Sequence, residues 1–330
     1  MGKGRIPQME RTVAHYNLLD RMGEGGLGEV YRARDTRAGR TVALKLLPVA
    51  ADAAARQALL EDARAAATLS HPNIATLWDV GTDAGTDYLA YEYVAGISLR
   101  QEIGGRPIHP RRAVELAVQM ADALAEAHAA GVIHGDLRPD TICVTQKGSA
   151  KLLDFGMARW TRGGAVRARA ATRPDSLEPA TLPIVGYLSP EQALGGLVDG
   201  RTDVFSLSVV LYEMLTGQHP FAGATPDAMI VEIIRTAPVP PSALNSAIPA
   251  ELDALVLRGL SKDIQNRPQS AAAFSAELRS VGAVLDVRSG DPGASGLMPL
   301  DDEPEPGAGK WVAAGVALVA IAGAVWYFLR

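Results

Sequence analysis

The feature that most constrains this chain is a change of hydrophobic period about a third of the way along. Up to residue 94 the apolar residues come in short runs broken by turn formers, whereas beyond Gly105 they recur every three or four positions. Short alternating runs suit strands with one buried face, and three-to-four spacing suits helices with one buried stripe. Residues 15–22, 29–33, 41–47, 74–80 and 88–94 read as strands, with Asp35, Gly39, Gly81 and Gly85 at turns between them. One Ala-rich helix interrupts them over 51–69 and stops at Ser70-His71-Pro72. In the second part Ala113, Ala117, Met120, Leu124 and Ala127 mark a long amphipathic helix. Residues 204–215 are apolar nearly all round, as a central buried helix requires. Further helical stretches cover 229–234, 252–260 and 271–278. The expected architecture is α+β and bilobal, a small β-rich lobe joined to a larger α-helical one.

Composition narrows the function. With 330 residues, 48% of them hydrophobic, the chain can bury a sizeable core and carry extra segments besides. A net charge of −5 gives no global attraction to nucleic acid, and none is expected as a partner. Cys143 is the only cysteine, so neither an internal disulfide nor a zinc set is available. Residues 284–309 are rich in Gly, Pro and acidic side chains without periodicity, which predicts a flexible linker. After it, residues 311–329 form nineteen uncharged positions between Lys310 and Arg330. A helix of that length spans about 28 Å, close to a bilayer's hydrocarbon thickness. Trp311 at one end and Trp326, Tyr327 and Phe328 at the other suit the two interfaces. A single-pass C-terminal transmembrane helix is expected. The first eleven residues are polar and basic, unlike a signal peptide, so the large N-terminal region is expected on the cytoplasmic side.

Four motifs carry the chemistry. Gly23-Glu24-Gly25-Gly26-Leu27-Gly28-Glu29-Val30 lies between two predicted strands, where glycines let a hairpin close over phosphates. Alone it is equally an ordinary glycine-rich turn; a dinucleotide fold would need a helix next, and a strand follows. Val42-Ala43-Leu44-Lys45 puts a lysine on an apolar strand, which is costly unless the ammonium faces solvent or meets an anion. His134-Gly135-Asp136-Leu137-Arg138-Pro139 and Asp154-Phe155-Gly156 supply two carboxylates eighteen positions apart, on loops beside short apolar runs. One carboxylate suffices to accept a hydroxyl proton and the other to hold Mg²⁺ on phosphates; each could also simply cap a turn.

In this order the blocks resemble the protein kinase set, and most of all the bacterial, eukaryotic-like (Hanks-type) Ser/Thr kinases. The likeness continues through Tyr187-Leu188-Ser189-Pro190-Glu191 and Asp203-Val204-Phe205-Ser206-Leu207 to Asn266-Arg267-Pro268. It implies a kinase domain over 16–281, with an N-lobe at 16–94 and a C-lobe at 95–281. Residues 1–15 are then an extension, 282–310 a linker and 311–329 the membrane helix. It implies ATP with Mg²⁺, or Mn²⁺ in its place, and protein Ser or Thr as substrate. Gly23, Gly25 and Gly28 would cover the phosphates, and Lys45 would clamp them, supported by Asp62 from the helix. Val30, Ala43 and Cys143 would pack on adenine, while Tyr91 stands at the gatekeeper position. The backbone of Glu92 and Val94 would bond the adenine edge. Asp136 would be the aligning base with Arg138 beside it, and Asp154 and Thr141 the metal ligands. Glu191 and Arg267 would form a buried structural ion pair.

Five positions depart from the family pattern. Asp62 stands for a glutamate and is shorter by about 1.5 Å, roughly one C–C bond. The neighbouring Glu61 points about 100° away around the helix and cannot replace it. Gly135 stands for the arginine that receives an activation-loop phosphate, so such control is not expected. Thr161, Thr172, Ser176 and Thr181 are read as incidental hydroxyls in a long, Arg-rich loop. Arg138 stands for a lysine, Thr141 for the asparagine that binds a second Mg²⁺, and Ile184 for a threonine that bonds the catalytic aspartate. These changes lead to an expectation of reduced activity, with a nucleotide-binding pseudokinase scaffold at the membrane as the alternative. A small-molecule kinase on the same fold has less support.

Overall fold

The computed structural model describes residues 11–25, 28–47, 53–157 and 182–289. The first lobe is a six-stranded antiparallel sheet in the order β1-β2-β3-β4-β6-β5. Its strands are β1 (Thr12–Val13), β2 (Tyr16–Gly25), β3 (Gly28–Asp35), β4 (Arg40–Leu46), β5 (Leu77–Asp83) and β6 (Thr86–Glu92). Helix α1 (Ala53–Ala66) connects β4 to β5 by way of a loop.

Strand β4 shows how sequence becomes a two-sided element. Val42, Leu44 and Leu46 are buried in one apolar cluster with Tyr16, Ala33, Tyr88 and Ala90. Ala43 and Lys45 alternate with them and so face the other way. On that second side lie Leu89 and Tyr91, the register partners of Lys45 and Ala43. Leu47, Leu59, Ala63, Leu77, Leu89, Tyr91 and Met157 form the cluster that seats α1 on the sheet.

Past the connecting residues 93–95 the chain turns helical. A small sheet comes first, β7 (Gly96–Ser98) with β8 (Ile142–Thr145) and β9 (Ala150–Leu152). Around it lie α2 (Leu99–Ile103), α3 (Pro110–Ala129), α4 (Leu182–Val185), α5 (Pro190–Ala193) and α6 (Gly200–Thr216). They are followed by α7 (Pro226–Arg235), α8 (Pro241–Leu244), α9 (Ala250–Gly259) and α10 (Ala271–Ser289). Helix α6 is the axis of this lobe, buried at every position from Thr202 to Thr216. Asp199 caps its start by accepting from the Arg201 N–H, and Gly217 ends it in the left-handed conformation at φ 71°.

The α+β, two-lobed expectation holds, with strand ends shifted by a few residues. Two boundaries do not. Thr12–Val13 pair with β2 as β1 and Val13 is buried, so the folded domain begins before residue 16. Helix α10 continues past residue 281 to Ser289, so 282–289 belong to the folded domain and not to the linker. Val281 is buried, and Arg111 Nε lies 2.5 Å from Asp286 Oδ1. These contacts hold the added turns against α3. No helix among the described residues is long and apolar enough to cross a membrane; the segment 311–329 lies outside them.

Candidate active site

Between the lobes lies a cleft of about 380 Å³. Its roof is Gly23, Val30, Ala43 and Lys45; Glu92 and Val94 stand at its back, and Cys143, Leu153 and Asp154 form its floor. Nearly every residue expected around adenine is therefore in one cavity. A Cβ built on Gly23 would meet nothing within 4 Å, so the roof leaves open space there. Gly28, at φ 106°, pairs with Gly25 at the tip of the β2–β3 hairpin. Gly26 and Leu27 lie outside the described residues. Burial pushes the Cys143 thiol up, in keeping with a packing role.

The expected ammonium and first carboxylate meet. Lys45 Nζ is 2.8 Å from Asp154 Oδ1, with Lys45 almost fully buried. Burial alone would raise the Asp154 carboxyl. The charge and hydrogen bond of Lys45, aided by Arg138 and His134, overcome it and hold the group below its ordinary range. Among the described residues Asp154 is one of three non-glycine residues with positive φ, at 63°. Backbone strain of this kind persists where the surroundings fix it. Here the next residues do so: a Cβ on Gly156 would come within 2.9 Å of Ala63 Cα and of the Asp62 carbonyl oxygen. Helix α1 thus packs directly on the Asp-Phe-Gly turn. Asp62 is half-buried on that helix, while Glu61 is exposed and accepts from Gln57 at 2.8 Å, as the helical phase predicts.

The loop carrying Asp136 is fastened from below by a residue whose role the sequence reading missed. Asp203, fully buried near the start of α6, accepts from the backbone N–H of His134 at 2.9 Å and of Gly135 at 2.8 Å. His128 Nε2 lies 2.7 Å from the same carboxylate. Gln192 Nε2 donates to the Gly135 carbonyl at 2.8 Å. Gly135 sits at φ 66°, where an arginine would be strained, so glycine suits the turn even as it removes a guanidinium. The signal was available: a charged residue in an otherwise apolar helix must be paired.

Asp136 is buried, and its Oδ1 accepts from Arg138 Nε at 3.3 Å. Its Oδ2 is buried with no hydrogen-bond partner among the described residues. Burial raises this carboxyl above its usual range, against the opposing pull of Arg138 and His134. Arg138 also reaches Asp140 Oδ2 at 3.2 Å, and Asp140 is met in turn by Arg100 at 3.2 Å. Arg100 further binds Glu213 at 2.5 Å and the Tyr187 hydroxyl at 2.8 Å, a network with no counterpart in the sequence reading.

Thr141 is not placed as expected. Its hydroxyl lies 3.0 Å from the carbonyl oxygens of both Asp136 and Arg138, to which it donates, and accepts from the Arg138 N–H at 3.1 Å. The residue is 1% exposed, and although Asp140 and Ile142 line the cleft, Thr141 does not. Its oxygen braces the loop backbone instead of facing a metal. Among the described residues no group of three or more His, Cys, Asp or Glu could hold a metal by itself. A divalent cation at Asp154 would need oxygens from outside the protein to complete its shell.

One other expectation is met. Arg267 is 2% exposed and holds Glu191 in a two-pronged pair at 2.8 and 2.9 Å, with Thr202 donating to Glu191 as well. Behind the cleft, Lys151 Nζ bonds Glu92 Oε2 at 2.8 Å and the Ile74 carbonyl at 3.2 Å. The residues of the Arg-rich loop, 158–181, with all four hydroxyls named above, lie outside the described residues.

Two lobes around a cleft, a strand lysine paired with a loop aspartate, and a second buried carboxylate on a braced loop are the parts of a protein kinase domain. The family model for the protein kinase domain matches residues 16–278, and the chain belongs to that family. It is 39% identical over 286 residues to the serine/threonine-protein kinase PknB of Mycobacterium tuberculosis, covering 84% of this chain and 43% of that protein. It is 36% identical over 312 residues to a probable serine/threonine-protein kinase of Streptomyces coelicolor, covering 91% of this chain and 45% of that one. The chain thus spans less than half the length of these relatives. Among solved structures it resembles the M. tuberculosis PknI kinase domain with a TM-score of 0.66 and 25% identity, covering 83% of this chain and 98% of that one.

Proposed function

We propose that this protein transfers the γ-phosphoryl group of ATP to Ser or Thr hydroxyls of protein substrates. The observation that supports the reading is the Lys45–Asp154 pair in the cleft, whose two charges also reach Asp136. Lys45 and Asp154 pair across the cleft, and Asp136 keeps one buried carboxylate oxygen unused. Bound ATP would supply the phosphoryl group, and a Mg²⁺ or Mn²⁺ ion, for which Asp154 is the ligand, would neutralise phosphate charge. The chain's own part is placement and charge. Lys45 holds an ammonium where the phosphates would lie, and Asp154 is the carboxylate that would hold the cation. Asp136 Oδ2 accepts the hydrogen of the incoming hydroxyl, and its raised affinity for a proton suits that task. Arg138 keeps a positive charge beside the acceptor. Ala43 and Cys143 pack on the adenine ring, and the backbone of Glu92 and Val94 bonds its edge.

Reduced turnover is part of the proposal, because Thr141 and Gly135 remove groups that the family uses. The nucleotide-binding scaffold is the second reading, favoured by the inward-turned Thr141 hydroxyl. Residues 311–329 are proposed to anchor the chain in a membrane with the kinase domain on the cytoplasmic side. The deciding experiment incubates the full chain with labelled ATP and follows phosphoserine and phosphothreonine, alongside thermal shift with ATP. Transfer that disappears in Asp136→Asn, with ATP binding kept, supports the kinase. Binding without transfer selects the scaffold.

A further inference from the structure

We propose that this cleft takes its nucleoside triphosphate with one divalent cation, not two, and that Thr141 is a positioning residue for the catalytic loop. The inference rests on the ATP-binding reading above and concerns which atoms of the chain can serve as metal ligands.

A second cation between the lobes needs a second oxygen ligand near Asp154, and the position that should supply it is 141. The side chain there is pointed away. Its one hydrogen is shared between the Asp136 and Arg138 carbonyls, each 3.0 Å from Oγ1, and one lone pair accepts the Arg138 N–H at 3.1 Å. Turning the hydroxyl outward would take away the bonds it makes to the Arg138 N–H and the Asp136 carbonyl, leaving the Arg138 carbonyl on the Thr141 N–H at 2.9 Å. Asp140, the neighbouring carboxylate on the cleft wall, is already engaged by two guanidinium groups, Arg138 and Arg100. The Arg138 guanidinium lies between Asp136 and Asp140, so a fixed positive charge already occupies this side of the loop.

The brace accounts for why a hydroxyl remains at this position. Thr141 ties the carbonyl of Asp136 to the backbone of Arg138, the two residues that flank the reacting hydroxyl in the proposed mechanism. It acts through them and touches no substrate.

The test counts Mn²⁺ by electron paramagnetic resonance, using the full chain in excess over the non-hydrolysable analogue AMP-PNP. One bound ion per nucleotide is expected, and the affinity for the Mg²⁺ complex of AMP-PNP should not rise when free Mg²⁺ is increased tenfold. Two ions per bound nucleotide would overturn the inference while leaving the ATP site intact. Failure to bind nucleotide at any Mn²⁺ concentration would overturn both. Thr141→Val should keep the single ion and yet speed hydrogen exchange at the Arg138 amide at least tenfold, with Thr141→Ser restoring protection. Loss of the ion in a folded Thr141→Val protein would show that the hydroxyl is a ligand after all.

Discussion

The hydroxyl of Tyr91 donates to the backbone carbonyl of Phe155 across 2.9 Å, joining the last strand of the sheet to the Asp-Phe-Gly turn. The phenol is buried, and burial together with Asp154 keeps it protonated far above neutral pH, so it remains a donor. The turn it holds carries the positive φ of Asp154, and Phe155 is packed edge-on against His134 at 4.6 Å. Tyr91→Phe removes the donor and leaves a buried carbonyl unpaired, at a cost of about 1–3 kcal/mol. The expected result is faster amide exchange at Phe155 and Gly156 and a lower Tm, with the cleft's lining otherwise unchanged. Unaltered exchange at those two amides would show that the turn is held by α1 alone.

Asp136 and Arg138 make a prediction about pH. Burial raises the Asp136 carboxyl and Arg138 lowers it, so the group titrates above the ordinary carboxylate range and would climb further without the guanidinium. A base must be ionised to accept a proton, so the acid limb of the rate profile should move to higher pH in Arg138→Met. Asp136→Asn should cost on the order of 10²–10⁴ in rate at every pH, the usual range for a lost general base. An acid limb that stays put in Arg138→Met would assign the ionisation to another group.

How far the sequence revealed all this depends on the range of the interaction. That Lys45, Asp154 and the residues expected around adenine line one cleft was legible because a strand's alternation and a motif's spacing are local properties that survive into the fold. The Thr141 hydroxyl was misread because a motif fixes where the residue sits but not which way its side chain turns. That choice was made by two backbone carbonyls within the same loop. The Arg100–Glu213–Tyr187 network joins residues far apart in sequence on α2, α6 and the segment before α5, and nothing in the local pattern of any of them announces the others. The end of α10 was missed because the acidic and glycine residues that suggest a linker also include Asp286, which is paired with Arg111 on α3.

Asp203 tests how the loop is held. It is buried at 0% exposure and accepts two backbone N–H groups, with His128 beside it. Burial opposes its ionisation, but His128, His134 and the Gly135 amide more than compensate and keep the carboxylate charged. Asp203→Asn replaces one accepting oxygen with a donor that faces another donor. Hydrogen bonds to a charged acceptor contribute about 1.5–3 kcal/mol each, so a loss in that range is expected in denaturant unfolding. Catalytic rate should fall more than nucleotide affinity, because the loop displaced carries Asp136 and not the adenine-packing residues. A larger fall in affinity than in rate would contradict the assignment.

The Glu191–Arg267 pair should instead show itself in stability. Burial would raise the Glu191 carboxyl, but the bonds and charge of Arg267 pull it below its ordinary 4.5. A carboxyl depressed in the folded state stabilises the fold fully above its unfolded-state pKa, and that contribution is lost as pH falls through the folded-state value. Removing one partner of a buried pair costs about 3–5 kcal/mol, and Glu191→Gln should lie near 3 because its amide oxygen still accepts one bond from Arg267. Denaturant unfolding of both proteins at neutral pH should show that gap. Repeated at falling pH, from the ordinary carboxylate range downward, the two curves should converge as the wild-type carboxylate takes up its proton. A gap that stays constant through that window would mean the pair contributes by shape and hydrogen bonding alone, with its charge irrelevant.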